Sequence, residues 1–347
     1  MLYFLPDSLG VSVPLVLAAI LILWKSADWF VEGAVGVARK LRVPPMLVGI
    51  VLVSLATTSP ELMASMLAAV RGVPEVALGN AVGSVLVDAS VALGLAAVVA
   101  PIPLAAHPAI FRSGARFLVF AMLLLSFFVF DGTLGRLEGA TLVGAFAIYT
   151  ARTYWKTRRG QGADDPLVRG AQEEVEQIDA ALEQTTTGRI LLLFFVGFAG
   201  VLLGSECLLK GATGIALYFG MPPVVLGLTV VAIGTSVPEI ATVVASALKG
   251  QSGVGVGNVI GADILNICWV AGMSAVANPL STQMSVVLLM FPAMFVIVLT
   301  MLAMLRWKYN LVRWNGAVLL SLYVVFVTAM LTMTSTGVIE PLPVVVH

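Results

Sequence analysis

The sequence predicts an all-α polytopic membrane protein, with ten transmembrane helices arranged as two inverted five-helix repeats. Three observations predict it. The chain is too apolar to be wetted by water, its apolar runs recur at membrane-spanning length, and long segments of its two halves repeat one another without a gap.

Of 347 residues, 59% are hydrophobic and 11% charged, with a mean hydropathy of +1.03. A soluble globule carries about a quarter charged residues, because its surface must be solvated. Moreover, 13 of the 38 charges fall within residues 152–189, which leaves the rest of the chain poorer still. This composition excludes a soluble enzyme, and it excludes a nucleic-acid-binding protein, which needs a basic face. Lys+Arg equals Asp+Glu, so net charge carries no information about partners. Cys207 and Cys268 lie in apolar runs and read as packing residues, not as a disulfide.

A bilayer span needs about 20 apolar residues. Breaks at charges, Gly/Pro pairs and turns give spans near 11–36, 44–69, 76–100, 108–130, 135–153, 189–217, 223–248, 253–277, 281–304 and 312–334. The first lacks the basic start of a signal peptide. With ten spans, fifteen Lys and Arg residues fall on one side and only Arg71 and Arg136 on the other, while Lys25 and Lys210 lie inside spans. The positive-inside rule makes the fifteen-charge side cytoplasmic, so both termini face outward. The chain then divides into a first repeat (1–153), a cytoplasmic linker (154–188) and a second repeat (189–347). Val175, Ile178 and Leu182 recur at helical spacing within the acidic stretch Asp164–Glu183, which suggests a solvated connector with one surface helix.

Self-comparison is the most informative step. PPMLVGIVLVSLATTSPE (44–61) lies over PPVVLGLTVVAIGTSVPE (222–239) without a gap, and GNAVGSVLVD (79–88) lies over GNVIGADILN (257–266). Upstream, SADWFVEGA (26–34) meets GSECLLKGA (204–212). Five spans per half is an odd number, so the second half enters the membrane from the opposite side. Inverted repeats are characteristic of secondary transporters, which bind their substrates near the midplane where the repeats meet. The phosphate-binding pattern GxxxxGK[ST] is absent, which argues against ATP drive within this chain.

The repeated segments are where polar residues enter the membrane. Thr57, Thr58, Ser59 and Glu61 surround Pro60, while Thr235, Ser236 and Glu239 surround Pro238. Each proline removes a helix hydrogen bond and leaves carbonyls near Ser54–Ala56 and Ala232–Gly234 in need of a partner. An ionised glutamate in hydrocarbon costs at least ~2–3 kcal/mol, and here it occurs twice. Thr57 and Glu61 share a helix face at i,i+4, as do Thr235 and Glu239, and as do Ser84 and Asp88; Ala262 and Asn266 occupy the matching places. Carboxylates, hydroxyls, an amide and carbonyls form the all-oxygen set that Ca²⁺ prefers, with about six to eight ligands. The only histidines, His107 and His347, lie outside the repeats, which argues against Zn²⁺ or copper.

The two copies of G-x(7)-T-[ST]-x-P-E and the two GN-x-x-G blocks resemble the alpha repeats of the sodium/calcium exchangers of the cation/calcium antiporter superfamily. The resemblance implies that Glu61 and Glu239 are the paired central carboxylates. It implies hydroxyl ligands at Thr57, Thr58, Thr235, Ser236 and Ser84, and carbonyls at Ser54 and Ala232 for flanking Na⁺ sites. Two departures from the family pattern stand out. The single later acid is Asp88 in the first repeat with Asn266 in the second, where the family commonly has the reverse. Ala262 replaces a serine, and Asp263 adds an acid where asparagine is usual.

The resemblance implies a secondary antiporter, not an enzyme, that exchanges Na⁺ for Ca²⁺ across the lipid bilayer. It would have no prosthetic group and no nucleic-acid partner. A Ca²⁺/H⁺ antiporter is the alternative, since desolvated carboxylates can carry protons, and a K⁺-dependent Na⁺/Ca²⁺ exchanger is a variant of the first reading. An intramembrane protease would need a catalytic dyad, and symmetric Thr-[ST]-x-Pro-Glu kinks are not required for one. Asp28 matches Glu206 and Glu32 matches Lys210, either at the mouth of an ion path or in local pairs such as Lys25–Asp28. Asn80 and Asn258, set among glycines, suit interhelical hydrogen bonding better than ion ligation.

Overall fold

The computed structural model describes residues 8–40, 54–105, 114–159, 185–248 and 252–339, together with Glu176 and Leu182. The first half builds α1 (Leu9–Lys40), α2 (Ser54–Thr57), α3 (Ser59–Val70) and α4 (Pro74–Val87). A π-helical turn (Asp88–Ala92) joins α4 to α5 (Leu93–Val99), and α6 (Gly114–Phe128) and α7 (Arg136–Arg158) follow. The second half builds α8 (Thr187–Phe219), α9 (Pro223–Leu226), a π turn (Gly227–Val231), α10 (Ala232–Thr235) and α11 (Val237–Leu248). It continues through α12 (Ser252–Leu265), a π turn (Asn266–Ala271), α13 (Gly272–Ala277), α14 (Met284–Lys308) and α15 (Arg313–Ser335). The linker expected over 154–188 lies largely outside the described residues; at its edges α7 runs on to Arg158, and the Arg39 guanidinium donates to the Leu182 carbonyl at 3.4 Å.

Among the described residues, seven helices are long and apolar enough to cross a membrane, or eight if the pair Pro223–Thr235 and Val237–Leu248, bent by 48°, is one span. Two of the ten expected spans are not among them, for separate reasons. The first part of the 44–69 span lies outside the described residues, and α7 carries charge at both ends and has little net apolarity. The bundle is apolar outside and polar at its centre. Leu17, Leu21, Phe127, Phe195, Val324 and Val325 are exposed, whereas Glu61, Asn80, Asp88 and Asp263 are fully buried. Hydrocarbon, not water, suits such an exterior. The segments Pro74–Val99 and Gly255–Ala277 are 78% and 83% buried and form the middle, while α1 and α8 are about one-third buried and lie at the side.

Small residues set the helix spacing. α1 and α8 run antiparallel along their length, with Gly33 against Phe194, Gly197 against Phe30, Gly204 against Leu23 and Gly211 against Val16. The displacement that lays Pro44 over Pro222 also lays Gly33 over Gly211 and Val16 over Phe194, so one contact maps onto the other. A like correspondence links the crossing of α5 with α15 to that of α13 with α7. A Cβ on Gly94 would stand 3.1 Å from the Gly316 carbonyl oxygen, and one on Gly272 would stand 2.9 Å from the Gly139 carbonyl oxygen. Two short antiparallel ladders, which no alternation in the sequence signals, repeat the pattern. β1 (Leu104–Ala105) pairs with β4 (Asn310–Leu311), and β2 (Thr133–Leu134) pairs with β3 (Leu280–Ser281).

A methyl group at Gly139 would meet the Gly272 carbonyl oxygen at 2.6 Å, whereas one at Gly144 meets nothing within 4 Å. Gly139→Ala is therefore expected to destabilise the bundle by about 1–3 kcal/mol, the usual cost of overpacking. Gly144→Ala is expected to be neutral or slightly stabilising, because alanine is the better helix former. Thermal unfolding of the two variants in detergent checks this difference.

Candidate cation site

Both Thr-[ST]-x-Pro-Glu segments break their helices at the same place. Thr58 adopts φ −80°, ψ 12° and Ser236 adopts φ −81°, ψ 5°, each between a one-turn helix and a longer one. Pro60 and Pro238 then occupy the first turns of α3 and α11, where a missing N–H is tolerated. The new helices are bonded alike, from the Leu62 N–H to the Thr58 carbonyl at 3.0 Å and from the Ile240 N–H to the Ser236 carbonyl at 2.9 Å. Glu61 and Glu239 thus sit in the first turn after each break, and both are buried.

The two central helices supply the rest. Asp88 and Asn266 each open a π turn, a local widening that often marks functional positions in helices. The two side chains meet across the halves, with Asn266 Nδ2 donating to Asp88 Oδ2 at 3.4 Å. Ser236 lies beside both Glu61 and Asp88, and Thr235 lies beside Glu61. Asp88 is also close enough to Glu61 and to Asp263 for their charges to interact directly.

Asn80 ties the two breaks together. Its Nδ2 donates to the Glu61 carbonyl at 3.2 Å and to Ser65 Oγ at 2.9 Å, and its Oδ1 is 3.2 Å from the Thr235 hydroxyl. Thr235 Oγ1 also lies 3.1 Å from the Val231 carbonyl and 3.3 Å from that of Ala232. The Ala232 carbonyl already accepts the Ser236 N–H at 3.0 Å.

Many acceptor oxygens in this region remain open. Both carboxylate oxygens of Glu61 and of Asp263, Asp88 Oδ1, Asn266 Oδ1, Ser84 Oγ and Ser236 Oγ have no hydrogen-bond partner among the described residues. Burying an ionised carboxylate without a partner is strongly unfavourable, so a bound cation or a proton is the natural complement. Among the described residues no three His, Cys, Asp or Glu side chains form a compact metal-holding group, so hydroxyl, amide and carbonyl oxygens must complete any cation's shell.

The sequence matches the model of the sodium/calcium exchanger protein family over residues 11–155 and 189–332, which takes in both halves. The chain belongs to the sodium/calcium exchanger family. It is therefore a multi-pass integral membrane antiporter of the cation/calcium class and not an enzyme; the family transports Na⁺ and Ca²⁺ and uses no prosthetic group. It is 36% identical to the putative antiporter CaxA of Alkalimonas amylolytica over 263 residues, 75% of this chain and 78% of that protein. It is 25% identical to the sodium/calcium exchanger MaX1 of Methanosarcina acetivorans over 346 residues, 92% of this chain and 98% of that protein. The solved structure of the sodium-calcium exchanger NCX_Mj soaked with 2.5 mM Na⁺ and 10 mM Sr²⁺ matches with a TM-score of 0.62 at 25% identity, covering 93% of this chain and 99% of that one.

The exchanger fold brings Glu61, Asp88, Asn266, Thr235 and Ser236 together, and Ser84 stands one turn before Asp88. Glu239 occupies the equivalent turn of the second half, and Thr57, Thr58 and Ser54 stand on α2 and at the break after it. Asn80 and Ser65 contribute to the site as hydrogen-bond donor and acceptor, and the repeated GN pair is the sequence signal for the first of them. Glu206 forms an ion pair with Arg71, and Lys25 pairs with Asp28 at 3.9 Å. Cys207 and Cys268 are buried free thiols.

Asn80→Ala deletes a donor shared by Ser65 and the Glu61 carbonyl and removes the partner of Thr235. Each buried polar group left unsatisfied costs about 1–3 kcal/mol. The variant is expected to unfold at clearly lower temperature than the wild type in a thermal scan.

Proposed function

We propose that this chain exchanges Na⁺ for Ca²⁺ by alternating access around one site at the bilayer midplane, within ten helices that form two inverted repeats. The observation that carries the reading is Glu61: it is fully buried at a backbone break, both its carboxylate oxygens lack a hydrogen-bond partner among the described residues, and the second half supplies a buried glutamate at the matching break. Glu61 and Glu239 are the principal Ca²⁺ ligands, with Asp88 beside them. Thr57, Thr58, Thr235, Ser236 and Ser84 add hydroxyls, Asn266 adds its amide oxygen, and Ser54 and Ala232 add carbonyls at flanking Na⁺ positions.

The inverted arrangement draws support from the antiparallel packing of α1 on α8 and from the glycine contacts and short ladders that recur between the halves. A two-fold axis in the membrane plane relates such halves and leaves the site shared between them. With that topology both termini face outward and the 154–188 loop is cytoplasmic. Na⁺ and Ca²⁺ compete because the same carboxylates cannot compensate both. The names of MaX1 and NCX_Mj, both sodium/calcium exchangers, agree with this reading.

Purified protein in proteoliposomes is expected to accumulate ⁴⁵Ca²⁺ when an outward Na⁺ gradient is imposed. Glu61→Gln and Glu239→Gln are each expected to abolish this uptake while the protein stays folded and monodisperse, since losing one carboxylate leaves a divalent ion undercompensated in a low-dielectric site. Near-normal uptake by either variant would remove that residue from the site. Uptake that follows an imposed pH gradient and ignores Na⁺ would establish Ca²⁺/H⁺ exchange instead.

The hydroxyls distinguish the driving ion. Thr57→Val and Thr235→Val preserve side-chain shape and delete one neutral oxygen each. These variants are expected to need more Na⁺ than the wild type for half-maximal release of bound ⁴⁵Ca²⁺, with the pH dependence of release unchanged.

A further inference from the structure

The turn between α14 and α15 carries positive charge that the surrounding chain does not balance. Arg306, Lys308 and Arg313 fall close together there, and no Asp or Glu occurs between residues 264 and 339. The elements that meet this turn are equally free of acid. Asn310–Leu311 pairs with Leu104–Ala105, and Arg313 Nη2 donates to the Ala100 carbonyl at 3.4 Å, so the turn rests on the connection between α5 and α6. No Asp or Glu occurs between residues 89 and 130 either, and Arg116, in the first turn of α6, is a further exposed cation.

Arg306 and Arg313 are both exposed, and each spends one N–H on a neutral acceptor among the described residues. For Arg313 this is the Ala100 carbonyl, and for Arg306 it is the Tyr309 hydroxyl, which Nη1 reaches at 2.8 Å. Tyr309 ends α14 in the left-handed region, at φ 55°, and is the only non-glycine residue with positive φ among the described residues. Glycine is the usual choice at such a helix end, because a side chain is strained there. The tyrosine does what glycine could not: its hydroxyl holds Arg306, and its ring lies 5.4 Å from the guanidinium carbon.

Two tryptophans flank these cations. Trp307 is 84% exposed and Trp314 74% exposed, each next to the end of an apolar span. Tryptophans at span ends settle at headgroup depth, where one side of the ring is apolar and the N–H is wet. The arginines beside them therefore lie at the level of lipid phosphates. A guanidinium presents a fork of N–H donors that matches a phosphate, and no carboxylate nearby competes for it.

We propose that this turn binds the headgroup of an anionic phospholipid, with Arg306 and Arg313 on its phosphate and Trp307 and Trp314 against its glycerol and upper acyl chains. A zwitterionic headgroup would bring its own cation into surroundings that already lack acid, so the net-negative lipid is preferred. The other end of α14 differs. It follows the β2–β3 ladder, where Arg136 stands between Asp131 and Glu138 in the sequence and has acids at hand.

The test is lipid retention by the purified full chain in detergent, with no transport involved. Equal amounts of dioleoyl phosphatidylglycerol and dioleoyl phosphatidylcholine are added, and the bound lipids are counted by native mass spectrometry. The wild type is expected to retain phosphatidylglycerol in preference. Arg306→Gln and Arg313→Gln should each weaken that retention roughly fivefold, as for one basic group lost at a membrane surface, whereas Arg136→Gln should not change it. If Arg313→Gln, which also loses its bond to Ala100, does not fold, Arg306→Gln decides alone. Inorganic phosphate, in a separate arm, should not displace the lipid at matched concentration; displacement would make this a site for free phosphate and overturn the lipid assignment. Equal retention of the two lipids by the wild type, unchanged retention by Arg306→Gln, or an equal loss in Arg136→Gln would each overturn it as well.

Discussion

Carboxylates held away from water are the constraint on which the rest of this structure depends. Glu61, Asp88 and Asp263 are fully buried and Glu239 nearly so, in a molecule whose outer face is built for hydrocarbon. Their cost falls when the surroundings provide neutral oxygens and when a cation or a proton balances their charge. The breaks at Thr58 and Ser236 and the π turns at Asp88 and Asn266 meet that need locally. Each interrupts the regular ladder at the point where an acid or amide must face inward. The peripheral helices then have a simpler task, to keep lipid and water from the centre.

The two halves share a framework but differ in chemistry. Backbone breaks, helix spacing and short ladders recur between them, because close approach through glycines demands the same small residues at both crossings. Side chains that meet at the centre differ: Asp88 faces Asn266, Ser84 corresponds to Ala262, and Asp263 corresponds to Val85. A repeated framework with unlike groups in its middle leaves the two halves with different charges and oxygen counts.

The contact between Arg71 and Glu206 illustrates another balance. Glu206 lies within α8 and is mostly buried, and Arg71 caps the end of α3, so the pair fastens the peripheral helix to the region of the central break. Asn278 adds a second tie between the halves by donating to the Ala69 carbonyl, one residue before the end of the same helix, at 2.7 Å. The end of α3 is thus held from two directions, which steadies the turn that leads into α4.

By itself the sequence determined the membrane class, the repeat and the candidate ligands, because each is written locally. Apolar length marks spans, a gapless match between the halves marks the repeat, and Pro60 or Pro238 with a glutamate directly after it marks a broken helix with an acid beside it. Only the tertiary structure decided which of those residues share a centre. Asn80 reaches Thr235, Asn266 reaches Asp88 and Arg71 finds Glu206, each across more than a third of the chain. Periodicity reports which face of a helix is polar and says nothing of the face that it will meet. That choice belongs to helix packing, in which glycines such as Gly94, Gly139, Gly272 and Gly316 set how near two backbones come and so which side chains touch.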